Sequence, residues 1–125
     1  MESERPDVVV IEEAFYHESA RSALVLGHVR GALLVAAVQR GLVVAEYSPR
    51  EIKMSVTGSA AAAKEQVAFM VRRLLDLRGA LSPDASDALA GALCHLQRAR
   101  LTAPARAPSP AARRLEALLT GRSAR

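Results

Sequence analysis

The stretch Val8-Val9-Val10-Ile11-Glu12 decides the fold that this sequence can adopt. Four consecutive β-branched apolar residues predict a strand that is buried on both of its faces. The strand runs directly into Glu12, so a carboxylate stands at the tip of a segment that avoids water. An acid in that position adds little to solubility and is well placed for chemistry. Glu12 is therefore the first candidate site residue.

A helix and a second strand follow the first strand. The apolar spacing predicts a long helix over about residues 19–40, which Gly41 ends, and then a strand over residues 42–47. The order strand, helix, strand predicts a parallel pair with a right-handed crossover. Both strands then end at the same edge of the sheet, where ligands gather in such folds. Glu12 lies at that edge.

The long helix has a predicted buried face. This face comprises Leu26, Val29, Leu33 and either Ala36 or Ala37. Gly27 and Gly31 are four residues apart, so a neighbouring element can approach closely there. Close helix packing is the favoured explanation for the two glycines, and backbone contact with DNA is the alternative.

A capping box is predicted directly after the second strand. Ser and Glu occupy the first and last positions of residues 48–51, and Pro49 suits the first helical position. We expect a short helical turn here. That turn would present Arg50 and Lys53 near Glu12.

Two further core helices are predicted in the second half of the chain. A loop over residues 56–59 precedes a helix over about residues 61–77, and Ser82 caps the last helix. The predicted buried stripe of that last helix consists of Leu89, Leu93 and Leu96. Asp84 and Asp87 lie on a different stripe, three residues apart, where their side chains are neighbours.

The composition predicts one domain and a basic tail. A chain of 125 residues, half of them apolar, can bury a single core of modest size. Residues 1–101 are formally neutral, whereas residues 102–125 hold five arginines and one acid, which account for the whole net charge of +4. A basic tail favours a polyanion such as nucleic acid. A solvated tail that reflects Ala/Arg-rich codon usage is the alternative.

Cysteine usage and hydropathy limit the compartment. Cys94 is the only cysteine and sits in an apolar helical pattern, so an internal disulfide is excluded and a core position is expected. Residues 1–4 are acidic, unlike the start of a secretory signal. No apolar stretch is expected to be long enough to cross a membrane. The sequence therefore predicts a cytoplasmic protein with no membrane partner.

The predicted strands present a structural problem. Two parallel strands do not form a stable sheet alone, because parallel sheets need neighbouring strands and cover on both faces. Residues 8–11 have the composition of a central strand, yet no strand is predicted before them. We expect that another chain supplies the neighbours or that the sequence begins inside a domain.

Glu12, Asp84 and Asp87 can form a site for a divalent metal if they meet in space. Converging carboxylates repel one another unless a cation neutralises them, and Mg²⁺ and Mn²⁺ prefer oxygen ligands. Two such ions can activate water and stabilise the leaving oxygen in phosphodiester cleavage. Simpler alternatives exist, because a helix dipole favours an acid such as Asp84 in the first turn and Asp87 can be a solvated surface residue.

Phe15, Lys53 and Lys64 are candidates for contact with nucleic acid. Phe15 is either a core aromatic or a platform on which an unpaired base stacks. Lys53 and Lys64 are the only lysines among 17 basic residues. They are either solvated surface residues or contacts for a phosphate beside the metal site.

Taken together, these segments resemble the RuvC family of Holliday junction resolvases. The matching motifs stand in order over residues 6–95. They are Ile11-Glu12-Glu13-Ala14-Phe15, Ser22-Ala23-Leu24-x-Leu26-Gly27-x-x-Arg30-Gly31, Glu46-Tyr47-x-x-Arg50-x-x-Lys53, Lys64-x-Gln66-Val67-x-x-Met70-Val71-Arg72-x-Leu74-Leu75 and Asp84-Ala85-x-Asp87-Ala88-Leu89-Ala90. The basic tail also resembles the end of the family's chains.

The resemblance implies an RNase H-like α/β fold, here a parallel β-α-β unit followed by two core helices and a basic tail. It implies a homodimer that nicks four-way DNA junctions in recombination and repair with Mg²⁺, and that works with the RuvA–RuvB branch-migration complex. Glu12, Asp84 and Asp87 match the family's acidic metal positions. Phe15 matches an aromatic that stacks at the junction.

Lys53 and Lys64 match basic residues near the scissile phosphate in the family. One departure matters, because the family's first strand carries Gly-Ile-Asp-Pro-Gly, whose Asp is the first metal ligand, and this sequence lacks it. We therefore expect an N-terminally truncated resolvase, as a fragment, a mis-called start or a degraded gene, with little or no activity alone. The alternatives are a non-catalytic DNA-binding or dimerising remnant, another RNase H-like nuclease, or an unrelated α/β interaction module.

Overall fold

A two-stranded parallel sheet connects the start of the chain to its middle. The computed structural model describes residues 3–13 and 19–102. Its elements are β1 (Val8–Glu12), α1 (Ala20–Gln39), β2 (Val43–Tyr47), α2 (Pro49–Thr57), α3 (Lys64–Leu74) and α4 (Pro83–Thr102). The predicted strand–helix–strand unit is confirmed. The tail beyond residue 102, with its predicted short helix, lies outside the described residues.

The register of the sheet places Glu12 at its carboxyl edge. β1 and β2 pair in parallel from Val8 opposite Val43 to Glu12 opposite Tyr47. One further backbone hydrogen bond, from the Glu13 N–H to the Tyr47 carbonyl at 2.8 Å, extends the pairing past the strand ends. Both strands therefore end together, as their order in the sequence predicts.

Helix α1 begins where the sequence predicts but is buried less than expected. The Ser19 side chain caps it by accepting a hydrogen bond from the Ser22 N–H at 3.2 Å. The predicted buried face is wrong for most of its length, since Leu26, Val29 and Leu33 are 47%, 51% and 50% exposed. The described sheet has only two strands, which is too narrow to cover a helix of 20 residues.

Helix α1 is also long and apolar enough to cross a membrane. An 18-residue window within Ala20–Gln39 has a mean hydropathy of 1.5, and 6% of that window is buried. The expectation that no apolar stretch reaches this length is therefore wrong on length and composition. The reason is that the many Ala, Leu and Val residues of α1 outweigh Arg30 in the mean hydropathy. The apolar core helices of soluble proteins meet the same criterion.

Helix α2 extends further than the predicted single turn. Its capping box is confirmed, with the Ser48 N–H donating to Glu51 Oε2 at 2.8 Å and the Glu51 N–H donating to Ser48 Oγ at 3.2 Å. The helix continues to Thr57 and ends at Gly58, whose φ of +79° is left-handed. The predicted loop over residues 56–59 is therefore wrong in its first half, because Val56 is buried in the core.

Helix α3 is shorter than predicted at both ends. It covers Lys64–Leu74 rather than residues 61–77. Ala62 is buried in the loop before it, which anchors that loop to the core. Beyond Leu74 the chain turns through Asp76 and Gly79, both with positive φ. The positive φ at Asp76 is incompatible with continuing a right-handed helix.

Helix α4 packs through small residues together with two members of the predicted leucine stripe. Ser82 Oγ accepts a hydrogen bond from the Ala85 N–H at 3.2 Å, which confirms the predicted cap. Leu89 and Leu93 pack against the core, which confirms two members of the stripe, whereas Leu96 is 57% exposed, so the stripe is wrong in its last member. The buried positions of α4 are Ser86, Ala90, Gly91 and Cys94. A Cβ on Gly91 would lie 3.5 Å from Val10 Cγ1, so the small side chains allow α4 to approach β1 closely.

The core lies between α2, α3 and α4. Cys94 is fully buried there, as the sequence predicts. The buried cluster consists of Ile52, Val56, Ala62, Val67, Val71, Ala90 and Cys94. These residues hold the three helices together, and α4 also contacts β1.

Truncation of the core should destabilise the protein much more than truncation of its surface. Val71 is 0% exposed, whereas Leu101 is 85% exposed. We expect Val71→Ala to lower the free energy of unfolding by roughly 2 kcal/mol, because it removes buried methyl groups and leaves a cavity. Leu101→Ala should change it by less than about 0.5 kcal/mol. Urea denaturation followed by circular dichroism measures both, and equal effects would contradict the core assignment.

Candidate functional site

Four titratable side chains share one pocket at the carboxyl end of β1. Glu12 of β1, Lys53 of α2, Lys64 of α3 and Asp87 of α4 line this pocket of about 190 Å³, which we call the Glu12 pocket. Its remaining lining residues are Pro49, Ile52, Val67 and Ala90. The pocket therefore combines two acids and two cations above a floor of core side chains.

Neighbouring core residues place each lysine in the Glu12 pocket. Lys53 follows Ile52, a buried residue that also lines the pocket. The capping box of α2 fixes where that helix starts. Lys64 is the first residue of α3, three positions before the buried Val67. The spacing of three puts both residues on one side of the helix.

Asp87 reaches the pocket because α4 lies close to the sheet. It follows the buried Ser86 and precedes the buried Ala90 by three residues. The approach of α4 to β1 at Gly91 sets the distance between the helix and the strand. Asp87 and Glu12 come from opposite ends of the described chain, so only tertiary packing brings them together.

The electrostatics of the pocket link the two acids. Partial burial raises the pKa of Glu12 above its usual 4.5, and the negative charge of Asp87 raises it further. Lys64 and Lys53 act in the opposite direction and lower the pKa of Glu12. The two carboxylates thus repel each other in a partly desolvated site, and a cation placed between them would relieve that repulsion.

The structure does not bring Asp84 into the Glu12 pocket. Asp84 is exposed in the first turn of α4, one turn before Asp87, and Arg50 is exposed in the first turn of α2. Within residues 3–13 and 19–102, no three His, Cys, Asp or Glu side chains lie close enough together to hold a metal ion. Phe15 lies outside the described residues.

A polar network between β2, α2 and α4 was missed by sequence reasoning. The Tyr47 hydroxyl and His95 Nδ1 lie 2.8 Å apart, and the Arg98 guanidinium lies 5.3 Å from the centre of the Tyr47 ring. Arg98 also pairs with Glu51 at 2.9 Å. The network joins the end of β2 to the first turn of α2 and to α4. The three-residue spacing of His95 and Arg98 indicates that they are neighbours on α4. It does not indicate their partner Tyr47, which is distant in sequence.

A second, more apolar pocket also has Glu12 in its lining. It has a volume of about 390 Å³. Ile11 and Glu12 line it from β1, and α1 contributes Ala23, Leu26, Gly27, Val29, Arg30 and Leu33. Nothing in the described structure lies within 4 Å of a Cβ placed on Gly27 or Gly31. The predicted close approach at these glycines is therefore not made by the described residues.

Comparison with known proteins identifies one family. A sequence model described as "Crossover junction endodeoxyribonuclease RuvC" matches residues 1–95. A protein with that name from Halorhodospira halophila is 52% identical over 110 residues, which cover 88% of this chain and 65% of that protein. Another from Chlorobaculum parvum is 54% identical over 95 residues, which cover 75% of this chain and 51% of that protein.

Solved structures agree with the sequence comparison. The structure of Thermus thermophilus RuvC matches with a TM-score of 0.71 at 42% identity, covering 79% of this chain and 60% of that chain. The structure titled "T. thermophilus RuvC in complex with Holliday junction substrate" matches with a TM-score of 0.75 at 42% identity, covering 80% and 61%. The chain thus spans between about half and two thirds of the length of these relatives.

The predicted RNase H-like fold is confirmed by these structural neighbours. The match covers 60% and 61% of the two neighbour chains, so the rest of each has no counterpart in this chain. An unrelated α/β interaction module is excluded by the identity of about half over most of the chain. The four titratable residues that line the Glu12 pocket come from four elements, and each of them belongs to one of the motifs that resemble the family. The chain belongs to the RuvC family of crossover junction endodeoxyribonucleases.

Proposed function

We propose that this chain carries most of the active site of a nuclease that cuts four-way DNA junctions in recombination and repair. The observation that carries the proposal is the meeting of Glu12 and Asp87 with Lys53 and Lys64 in one pocket. Acids can hold a divalent cation there, and lysines can hold the phosphate to be cut. A member of the same family, 42% identical, has been solved with a Holliday junction.

The donor chemistry of the pocket fits a hard divalent cation. Glu12 and Asp87 supply carboxylate oxygens, which Mg²⁺ and Mn²⁺ prefer, and we propose Mg²⁺ as the metal with Mn²⁺ as a substitute. We propose Asp84, one turn earlier on α4, as a further ligand in the intact site. When bound, a pair of such ions supplies an activated water and stabilises the leaving oxygen.

The lysines and the first turn of α2 have a separate role in this proposal. Lys53 and Lys64 are ammonium groups on two different helices, so they can contact the scissile phosphate from two directions. Their charge also stabilises the additional negative charge of the transition state. Arg50 extends the cationic surface along α2, and Phe15 is proposed to stack on an unpaired base at the junction.

The exposed face of α1 supports a larger assembly. Leu26, Val29 and Leu33 expose about half of their surface each. An apolar patch of this kind marks an interaction surface or the place of missing structure. We propose that further strands of an intact resolvase domain and a second copy of the chain cover it, giving a homodimer. The proposed setting is the cytoplasm, with RuvA–RuvB as the partner complex.

A non-catalytic DNA-binding module is the second candidate. The two acids of the Glu12 pocket fall short of a three-ligand metal site within the described residues. Lys53 and Lys64 do not depend on a metal to contact phosphate. Binding to a junction without cutting it would be the property of such a module.

The purified chain should show little or no cleavage of a labelled four-way junction in Mg²⁺ or Mn²⁺. The reason is the incomplete set of acidic ligands in the Glu12 pocket. Denaturing electrophoresis of the products measures cleavage, with an intact family member as the positive control. Symmetric nicking that disappears in Glu12→Gln would show instead that this chain holds a complete site.

Lys53→Ala and Lys64→Ala should each weaken binding to a four-way junction. The slope of log affinity against log salt is negative, and each loss of a phosphate contact should reduce its magnitude by about 0.7–0.9. Fluorescence anisotropy between low and moderate salt measures this slope. Lys53→Arg and Lys64→Arg are the matched controls, because they retain the charge. Unchanged slopes in both alanine variants would remove the proposed role of the lysines.

Glu12→Gln should stabilise the apo protein at neutral pH and not at acid pH. The pKa of Glu12 is higher in the folded protein than in the unfolded chain. The free energy of unfolding of the wild type therefore decreases as the pH rises from about 4.5 through the folded pKa, and glutamine avoids this loss. Urea midpoints between pH 3.5 and 7 measure the difference from wild type, which should grow with pH.

At neutral pH, addition of Mg²⁺ should make the wild type more stable than Glu12→Gln, because the wild-type carboxylate gains a cation that glutamine holds less well. The exposed Glu4→Gln is the control for loss of a charge alone. A Glu12→Gln variant that is equally stabilised at all pH values would contradict the electrostatic account of the pocket.

A further inference from the structure

Helix α3 presents a large aromatic side chain to solvent. Phe69 is 58% exposed. It lies two residues from the buried Val67 and two from the buried Val71. With 3.6 residues per turn, a separation of two places Phe69 on the side of the helix that faces away from the core. Burial in the described fold therefore does not explain this phenyl ring.

Two arginines accompany Phe69 on the same side of α3. Arg72 and Arg73 follow it by three and four residues, the spacings at which helical side chains are neighbours, and both are exposed. Within residues 3–13 and 19–102, neither guanidinium forms an ion pair or a hydrogen bond. One acid, Glu65, lies one turn before Phe69. The helix dipole favours cations in a last turn, but it gives no reason for a phenyl ring beside them.

The position of α3 connects this surface to the Glu12 pocket. Lys64 lines the pocket as the first residue of the helix, and Arg73 is nine residues further on. Nine residues of helix span about 13.5 Å, and a strand of duplex DNA advances about 3.4 Å along the axis per nucleotide. The helix therefore extends from the pocket over the length of about four nucleotides.

We propose that the outer face of α3, formed by Phe69, Arg72 and Arg73, binds the nucleic-acid strand where it leaves the Glu12 pocket. Arg72 and Arg73 contact successive phosphates, and Phe69 stacks on a base that is unpaired near the junction centre. The proposal rests on the proposed function of the pocket and adds a second contact region to it.

Nucleic acid fits this surface better than a protein partner does. Among the described residues, Arg72 and Arg73 have no ion-pair partner and lie beside a ring that can stack, and every base offers a face for stacking. A protein partner would need acids opposite the arginines and would treat Phe69 as an apolar anchor. The two occupants differ in one testable respect, because leucine can replace phenylalanine as an apolar anchor but not as a stacking platform.

The test uses the full chain and a labelled four-way junction with unpaired bases at its centre. The variant Arg72→Ala/Arg73→Ala should reduce the magnitude of the salt slope of binding by about 1.4–1.8. The variant Arg72→Lys/Arg73→Lys should keep the wild-type slope, because it retains both charges. Arg100→Ala is the matched control, since Arg100 is exposed in the last turn of another helix. Thermal melting confirms that the variants remain folded.

Phe69→Ala and Phe69→Leu should both reduce affinity for the junction about fivefold or more, and affinity for a plain duplex much less. Retained junction affinity in Phe69→Leu would overturn base stacking and indicate an apolar anchor. An unchanged salt slope in the double alanine variant would overturn the α3 surface. If Lys53→Ala still weakens binding in that case, the proposed function stands, whereas wild-type protein that shows no salt-sensitive binding overturns both.

Discussion

The parallel pairing of β1 with β2 is the constraint on which the rest of the structure depends. Parallel strands run in the same direction, so the pairing of Glu12 with Tyr47 makes both strands end at one edge. Helix α2 begins immediately after β2, because the capping box at Ser48 and Glu51 starts it there. Lys53 therefore enters the space above Glu12 with no long loop between sheet and helix.

Small side chains on α4 complete the arrangement. Gly91 and Ala90 let the helix contact β1 and α2, and this contact places Asp87 in the same pocket as Glu12. The sequence predicted a leucine stripe, because leucines usually mark a buried face. Leu89 and Leu93 do pack against the core, but the buried positions of α4 hold small residues, and Leu96 is exposed. A residue as small as glycine carries no hydropathy signal, so this preference could not be derived from periodicity.

What could be predicted from sequence was decided by residues close together in the chain. The cap at Ser82, the capping box after β2 and the strand that ends at Glu12 depend on a few neighbours each, and the structure contains all three. Contacts between distant segments were harder to predict. The pairing of Tyr47 with His95 and the separation of Asp84 from the Glu12 pocket depend on how α4 is placed.

The exposed α1 and the incomplete acidic site have a common explanation in the proposed resolvase. The apolar pocket between α1 and β1 is lined by Glu12 and Leu26, so the uncovered helix face and the proposed metal site meet at one strand end. A strand added beside β1 would fill that pocket and could bring an acid to Glu12 at the same time. Lys53, Lys64 and Asp87 share a different pocket with Glu12, which the described residues already form. Phosphate binding and metal binding would therefore depend on different parts of the domain, and the first can persist where the second is lost.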